Sequence, residues 1–159
     1  MEKFWVAHSP KDMVDIAREI LSELVKNDIW VVGLVGELGA GKTTLAQAIA
    51  SVIGVGGQVH SPTFVLQKKY PIENLVFPMI KHLVHIDTYR AENIEELKIL
   101  ELEKLFMEQG NLTLIEWPEI LRDILPNNSV IINIAEVNDG RREIKMLLTK
   151  QQDRPDTDY

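Results

Sequence analysis

In the segment "SPKDMVDIAREILSELVKND", apolar residues fall at Met13, Ile16, Ile20, Leu21 and Leu24, a recurrence of three and four that draws one stripe along an α-helix. Ser9 stands where an N-cap belongs, and Pro10 occupies the first helical position, where its missing N–H costs nothing. The pattern changes on both sides of this helix. "FWVA", Phe4 to Ala7, predicts a short strand before it. "IWVVGLV", from Ile29, is continuously apolar and rich in β-branched residues, as a strand covered on both faces must be. "HLVHID" (His82 to Asp87) and "LTLIE" (Leu112 to Glu116) read as two more short strands, each ending in a carboxylate. "TFVLQKKYPI" also carries a strand pattern, with Phe64, Leu66 and Lys68 on one face.

The remaining segments complete the order. "GVGGQVHSP", Gly54 to Pro62, is too rich in glycine for regular structure. "NIEELKILELEKLFMEQG" is helical in composition, with Gly110 as the expected C-cap. "SVIINIAEV" and "REIKMLLT" predict a terminal hairpin joined through Asn138, Asp139 and Gly140. Residues 1–149 are expected to form one domain, and the polar residues 150–159, which lack a core-facing pattern, a disordered tail.

A chain of 159 residues, 45% apolar and 26% charged, belongs among ordinary soluble proteins. The apolar run before the glycines is far short of the roughly 20 residues a membrane span needs. The N-terminus does not read as a signal peptide, so a cytoplasmic protein without a membrane partner is expected. The absence of cysteine removes disulfides, thiolate catalysis and cysteine-ligated zinc. A net charge of −7 argues against a broad electrostatic grip on nucleic acid, so any engagement of RNA is expected to be indirect.

Candidate chemistry begins at "GELGAGKT", Gly36 to Thr43, which satisfies G-x-x-x-x-G-K-[ST] between a buried strand and a helix. Glycines allow successive backbone N–H groups to turn toward a phosphate, and the helix that follows directs its positive dipole end at the same anion. Gly36, Glu37, Leu38, Gly39, Ala40, Gly41, Lys42, Thr43 and Thr44 are therefore the expected cradle for a nucleoside triphosphate. In that cradle Lys42 bridges the β- and γ-phosphates and the Thr43 hydroxyl binds Mg²⁺. The competing reading is a glycine-rich turn with an exposed lysine. The expected fold class is α/β: a P-loop NTPase-like three-layer fold whose central mixed, mainly parallel sheet is flanked by helices and ends in an antiparallel hairpin.

Phosphoryl transfer also needs a carboxylate at a neighbouring strand end, and Asp87 and Glu116 both occupy the sheet edge where ligands gather in open α/β folds. Either can face the metal, and the competing reading for each is a solvated strand-end carboxylate. Arg90 reads as a surface ion pair and Trp117 as core or a stacking surface. His82 and His85, three apart in a strand, point to opposite faces and do not share a metal. "HSPTF", His60 to Phe64, reads from spacing alone as a proline turn entering a strand, with a γ-phosphate-sensing switch at Ser61 or Thr63 as the alternative.

Taken together, "GELGAGKTTL", "SPTF", "HIDTYR" and "LIEWPE", in this order and at these separations, closely resemble the TsaE family, the P-loop ATPases of bacterial tRNA threonylcarbamoyladenosine biosynthesis. The similarity is specific from Asp28 to Glu119 and looser toward both ends, including "GRREIKML". It implies a small α/β ATPase using ATP and Mg²⁺ to assist the TsaB–TsaD complex, which places threonylcarbamoyl on an adenosine beside the anticodon. The resemblance also implies roles: Lys42 and Thr43 as the loop pair, Asp87 as an essential acid, Glu116 in Mg²⁺ binding and catalysis, and Ser61 and Thr63 in a switch. Arg141 lies where the family approaches the nucleotide base. Two departures stand out: Glu37 replaces the family's usual aspartate, and "ELKILELE" lacks the glycine common after "EL".

Other classes are less well supported. A small-molecule kinase, the nearest alternative, surrounds the transferred phosphate with lid arginines. This chain has only Arg18, Arg90, Arg122, Arg141, Arg142 and Arg154, clustered nowhere but at 141–142. A GTPase would be expected to carry N-K-x-D and D-x-x-G sequences, and neither is present at the corresponding segments.

Overall fold

The computed structural model describes residues 2–72, 76–137 and 139–148. The expected tail at 150–159 and Asn138 of the terminal turn lie outside these described residues. Among the described residues seven strands form one sheet in the order β1-β7-β6-β2-β5-β4-β3. They are β1 (Glu2–Ala7), β2 (Val31–Val35), β3 (Gln67–Pro71), β4 (His82–Asp87), β5 (Asn111–Glu116), β6 (Val130–Glu136) and β7 (Arg142–Leu147). The central strands β6, β2, β5 and β4 run parallel, while β3, β7 and β1 pair antiparallel at the margins.

Helices cover both faces, and alternation along the strands sorts side chains between them. Val32, Leu34, Leu83, Leu112, Leu114 and Ile132 join the cluster that includes the apolar residues of α1 (Pro10–Lys26) and α2 (Lys42–Ile53). Val31, Val84, Ile86 and Ile115 face a second cluster that includes Leu97, Leu102, Leu105 and Leu121. This second layer consists of a 3₁₀ helix at Ile94–Leu100, the short α3 (Leu102–Met107) and a 3₁₀ turn at Pro118–Leu121. Gly33 lets that last turn approach closely: a Cβ there would stand 2.5 Å from Ile131 Cδ1 and 2.8 Å from Pro118 Cγ. Among the described residues no helix is long and apolar enough to cross a membrane.

The stripe expected on α1 is buried in full, and the Ser9 hydroxyl caps the helix by accepting from Asp12 N at 3.2 Å. Two expectations are corrected. The strand expected from Thr63 begins only at Gln67, because Val65 N closes a turn onto Pro62 O and Leu66 adopts a left-handed φ of 64°. That turn leaves Phe64 exposed and breaks the single strand face expected to carry it with Leu66 and Lys68. The helix expected to run to Gly110 is broken at Glu101, whose φ of 46° separates the 3₁₀ helix from α3. α3 then ends at an extended Glu108, so Gly110 serves the entry to β5, where its carbonyl accepts from Lys81 N and His82 N.

Candidate functional site

A cavity of about 340 Å³ opens at the C-terminal ends of β2, β4 and β5, where α2 starts. Leu38, Gly39, Gly41, Lys42, Thr43 and Thr44 line it from the loop, Ser61 and Thr63 from the segment before β3, and Asp87, Tyr89, Glu116 and Trp117 from the strand ends. The glycines make this loop possible. Gly36 packs so closely that a Cβ would stand 2.2 Å from the Ile134 carbonyl oxygen, and Gly41 holds a left-handed φ of 110° as the N-cap of α2. Since Gly41 supplies no side-chain cap, the first N–H groups of α2 are left to face an anion.

Lys42 is buried, and its Nζ donates to the carbonyl oxygens of Gly36 at 2.6 Å and Glu37 at 2.8 Å. The amine also lies 3.8 Å from the centroid of the Trp117 ring. Burial pushes the Lys42 pKa down from its ordinary value, and the carboxylates of Glu116, Glu119 and Asp87 partly offset this. Trp117 is itself constrained. Its φ is 62°, in the left-handed region that costs a non-glycine residue roughly 1–2 kcal/mol. Its carbonyl accepts from the Thr88 hydroxyl, and its ring stands 5.1 Å from that of Tyr89.

The two strand-end carboxylates are both buried, and the same face of the sheet presents them to α2. Glu116 accepts from the Thr43 hydroxyl, with Oε1 at 2.8 Å and Oε2 at 3.0 Å, and its Oε1 lies 2.9 Å from His85 Nε2. Asp87 is held by a separate set. Its Oδ2 accepts from Ser61 Oγ at 2.6 Å and Thr63 Oγ1 at 2.5 Å, and its Oδ1 from Tyr89 N at 2.9 Å.

Thr43 and Glu116 form an oxygen pair suited to a hard cation. Among the described residues no cluster of three or more His, Cys, Asp or Glu could hold a metal alone. That donor set fits Mg²⁺ arriving with a nucleotide, because this ion is commonly held by one or two carboxylates, substrate phosphates and water.

The structure thus gathers Lys42, Thr43, Glu116, Asp87, Ser61 and Thr63 around one space. Gly36 and Glu37 contribute as carbonyl partners of Lys42, and buried Ala40 donates its N–H to Glu37 O at 3.1 Å. Arg141 is not among the cavity-lining residues: it sits on the β6–β7 turn, its Nε bonded to Asp139 at 2.7 Å. The loop's neighbour is instead Arg142, whose Nε lies 3.5 Å from where a Cβ on Gly41 would stand. Arg90 forms a different contact from the expected ion pair, stacking 4.2 Å from the Phe64 ring centroid. Sequence spacing alone presents His85 as half of a histidine pair and does not point to Glu116. Its two-residue spacing from Asp87 was the available signal, since it puts both side chains on one face.

The sequence model of the family described as "Threonylcarbamoyl adenosine biosynthesis protein TsaE" matches residues 7–144. The tRNA threonylcarbamoyladenosine biosynthesis protein TsaE of Haemophilus influenzae is 37% identical over 123 residues, covering 77% of this chain and 73% of that one. The protein of the same name from Bacillus subtilis is 35% identical over 140 residues, covering 88% and 82%. The crystal structure of Bacillus subtilis YdiB superposes with a TM-score of 0.66 at 28% identity, covering 92% of this chain and 84% of that one.

Proposed function

Because the chain belongs to the TsaE family, we propose that it is a Mg²⁺-dependent ATPase of tRNA threonylcarbamoyladenosine biosynthesis, acting on the TsaB–TsaD complex in the cytoplasm. The observation that carries this reading is the convergence of Lys42, Thr43 and Glu116 at the head of α2. The loop N–H groups and Lys42 bind the triphosphate. To do so, Lys42 turns from the carbonyls of Gly36 and Glu37 toward phosphate oxygens. Thr43 and Glu116 would hold Mg²⁺, which would neutralise charge on the triphosphate when bound. Asp87 holds Ser61 and Thr63 beside the position of the γ-phosphate, so the 61–63 segment can respond to its presence or loss.

The same reading includes low turnover by the isolated chain. Among the described residues no arginine lines the cavity, which supports a partner supplying stabilisation of transition-state charge, as in partner-completed P-loop switches. With a net charge of −7, the chain meets tRNA only through its partners.

The test is Mg²⁺-dependent ATP hydrolysis by the purified protein, alone and with TsaB and TsaD added. Slow hydrolysis that accelerates at least tenfold with the partners is the expected result. An unaltered rate with demonstrably active partners would overturn the coupling, and no ATP binding at all would overturn the reading as a whole.

A further inference from the structure

We propose that His85 is a positioning residue for the metal-side carboxylate, aligning Glu116 with the Thr43 hydroxyl through an Nε2–H hydrogen bond. The assignment rests on the proposed role of Glu116 beside Mg²⁺. His85 lies inside β4 and is fully buried, two residues after Leu83, which the same face buries in the apolar cluster shared with α1 and α2. An apolar side chain would suit that place if packing were all the position required. His85 instead spends its one polar contact on Glu116 Oε1 at 2.9 Å, while its Nδ1 is enclosed without a hydrogen-bond partner.

The carboxylate fixes the tautomer. An ionised carboxylate can only accept, so the contact with Glu116 Oε1 needs the proton on Nε2, and the enclosed Nδ1 is then a lone pair and not an unpaired N–H. Register explains why only this histidine can reach. Asp87 pairs directly with Glu116 across β4 and β5, which makes His85 the diagonal neighbour of Glu116 on the same face. Oε1 is then engaged from the strand side by His85 and from the helix side by Thr43, which leaves the carboxylate little freedom to rotate. Hydrogen bonds of this kind to metal-binding carboxylates typically change metal affinity or activity by about 10–100-fold when removed.

Two substitutions separate positioning from packing. His85→Gln can place an amide N–H near the Nε2 position, whereas His85→Asn is one methylene shorter and cannot. The readout is the ratio of dissociation constants for a non-hydrolysable ATP analogue in EDTA and in Mg²⁺, measured by calorimetry on the full chain. We expect His85→Asn to lower this ratio about tenfold while leaving the EDTA affinity within about twofold, and His85→Gln to restore most of the ratio. A His85→Asn ratio equal to that of the wild type would overturn the positioning role alone. Equal loss in both variants would assign His85 to packing. A wild-type ratio of one would overturn the metal reading of Glu116 and this assignment with it. Nitrogen NMR of the unsubstituted protein gives a measurement independent of variant folding: protonated Nε2 is expected, and a proton on Nδ1 alone would overturn the hydrogen bond.

Discussion

Asp87 and Glu116 occupy paired positions at the ends of adjacent parallel strands, yet each carboxylate is held by its own set of donors. Glu116 takes the hydroxyl of the P-loop threonine and the ring of His85, while Asp87 takes the two hydroxyls of the segment before β3. Two acids at one sheet edge are thereby separated in their contacts by what each strand end meets.

That separation predicts two different mutant phenotypes. Glu116→Ala should cut hydrolysis by about 100-fold and remove most of the Mg²⁺ dependence of nucleotide binding. Asp87→Ala should also stop hydrolysis but keep the Mg²⁺ dependence, while amide exchange quickens around residues 61–65, where two hydroxyls lose their acceptor. Because both groups are buried, each variant should also lose about 1–3 kcal/mol of stability while still folding. Identical exchange and Mg²⁺ profiles in the two variants would count against the division of roles.

Much of this arrangement is legible in the sequence. The G-x-x-x-x-G-K-[ST] spacing between a buried strand and a helix is a local signal, and so is a carboxylate closing an apolar run. The stripe of α1 and its Ser9 cap are local too. What escaped depends on partners distant in sequence. Nothing near Phe4 announces that β1 completes the sheet against β7, since strand pairing is settled by tertiary register. His85 becomes informative only once β5 lies beside β4 and brings Glu116 alongside. Phe64 and Leu66 misled because their alternation is a strand pattern, while Pro62 and the turn it closes override it.

Trp117 should report nucleotide binding. Lys42 Nζ rests 3.8 Å from its ring centroid, and turning the amine toward phosphate oxygens removes that charge from the indole face. Trp5 and Trp30 bond to Glu19 and Asp28 and are not among the cavity-lining residues. ATP should therefore change tryptophan emission in the wild type, and Trp117→Phe should abolish the response. Wild-type emission that stays unchanged at saturating ATP would mean that the lysine does not move as proposed.

Glu101→Gly should stabilise the fold by about 0.5–1 kcal/mol. Glutamate pays roughly 1–2 kcal/mol for its left-handed backbone, and glycine returns part of the relief through its greater freedom in the unfolded chain. The Glu101–Lys104 ion pair that would be lost spans 3.5 Å between exposed groups and contributes little. Denaturant titration would show a higher midpoint at unchanged slope, with ATP affinity unaltered. A lower midpoint would show that the break between the 3₁₀ helix and α3 is held by contacts through the Glu101 side chain.

Lys42 should make stability depend on alkaline pH in a recognisable way. Burial lowers its pKa below the ordinary 10.5 in the folded protein, so between the lowered value and 10.5 the folded chain has released a proton that the unfolded chain still holds. Unfolding then takes up a proton, and the contribution of Lys42 to stability rises with pH across that window. Below it the amine is charged in both states and carries its full burial penalty. Lys42→Met keeps the stem and removes the titration, so the stability of the wild type relative to this variant should climb as pH approaches 10.5. The same variant should bind ATP at least about 30-fold more weakly, because an amine meeting triphosphate oxygens contributes on the order of 2 kcal/mol or more. Stability curves that stay parallel from neutral to alkaline pH would show that the amine is as well solvated in the folded loop as in the unfolded chain. In that case the strain placed on Lys42 by its buried position would not help to drive it toward the phosphates.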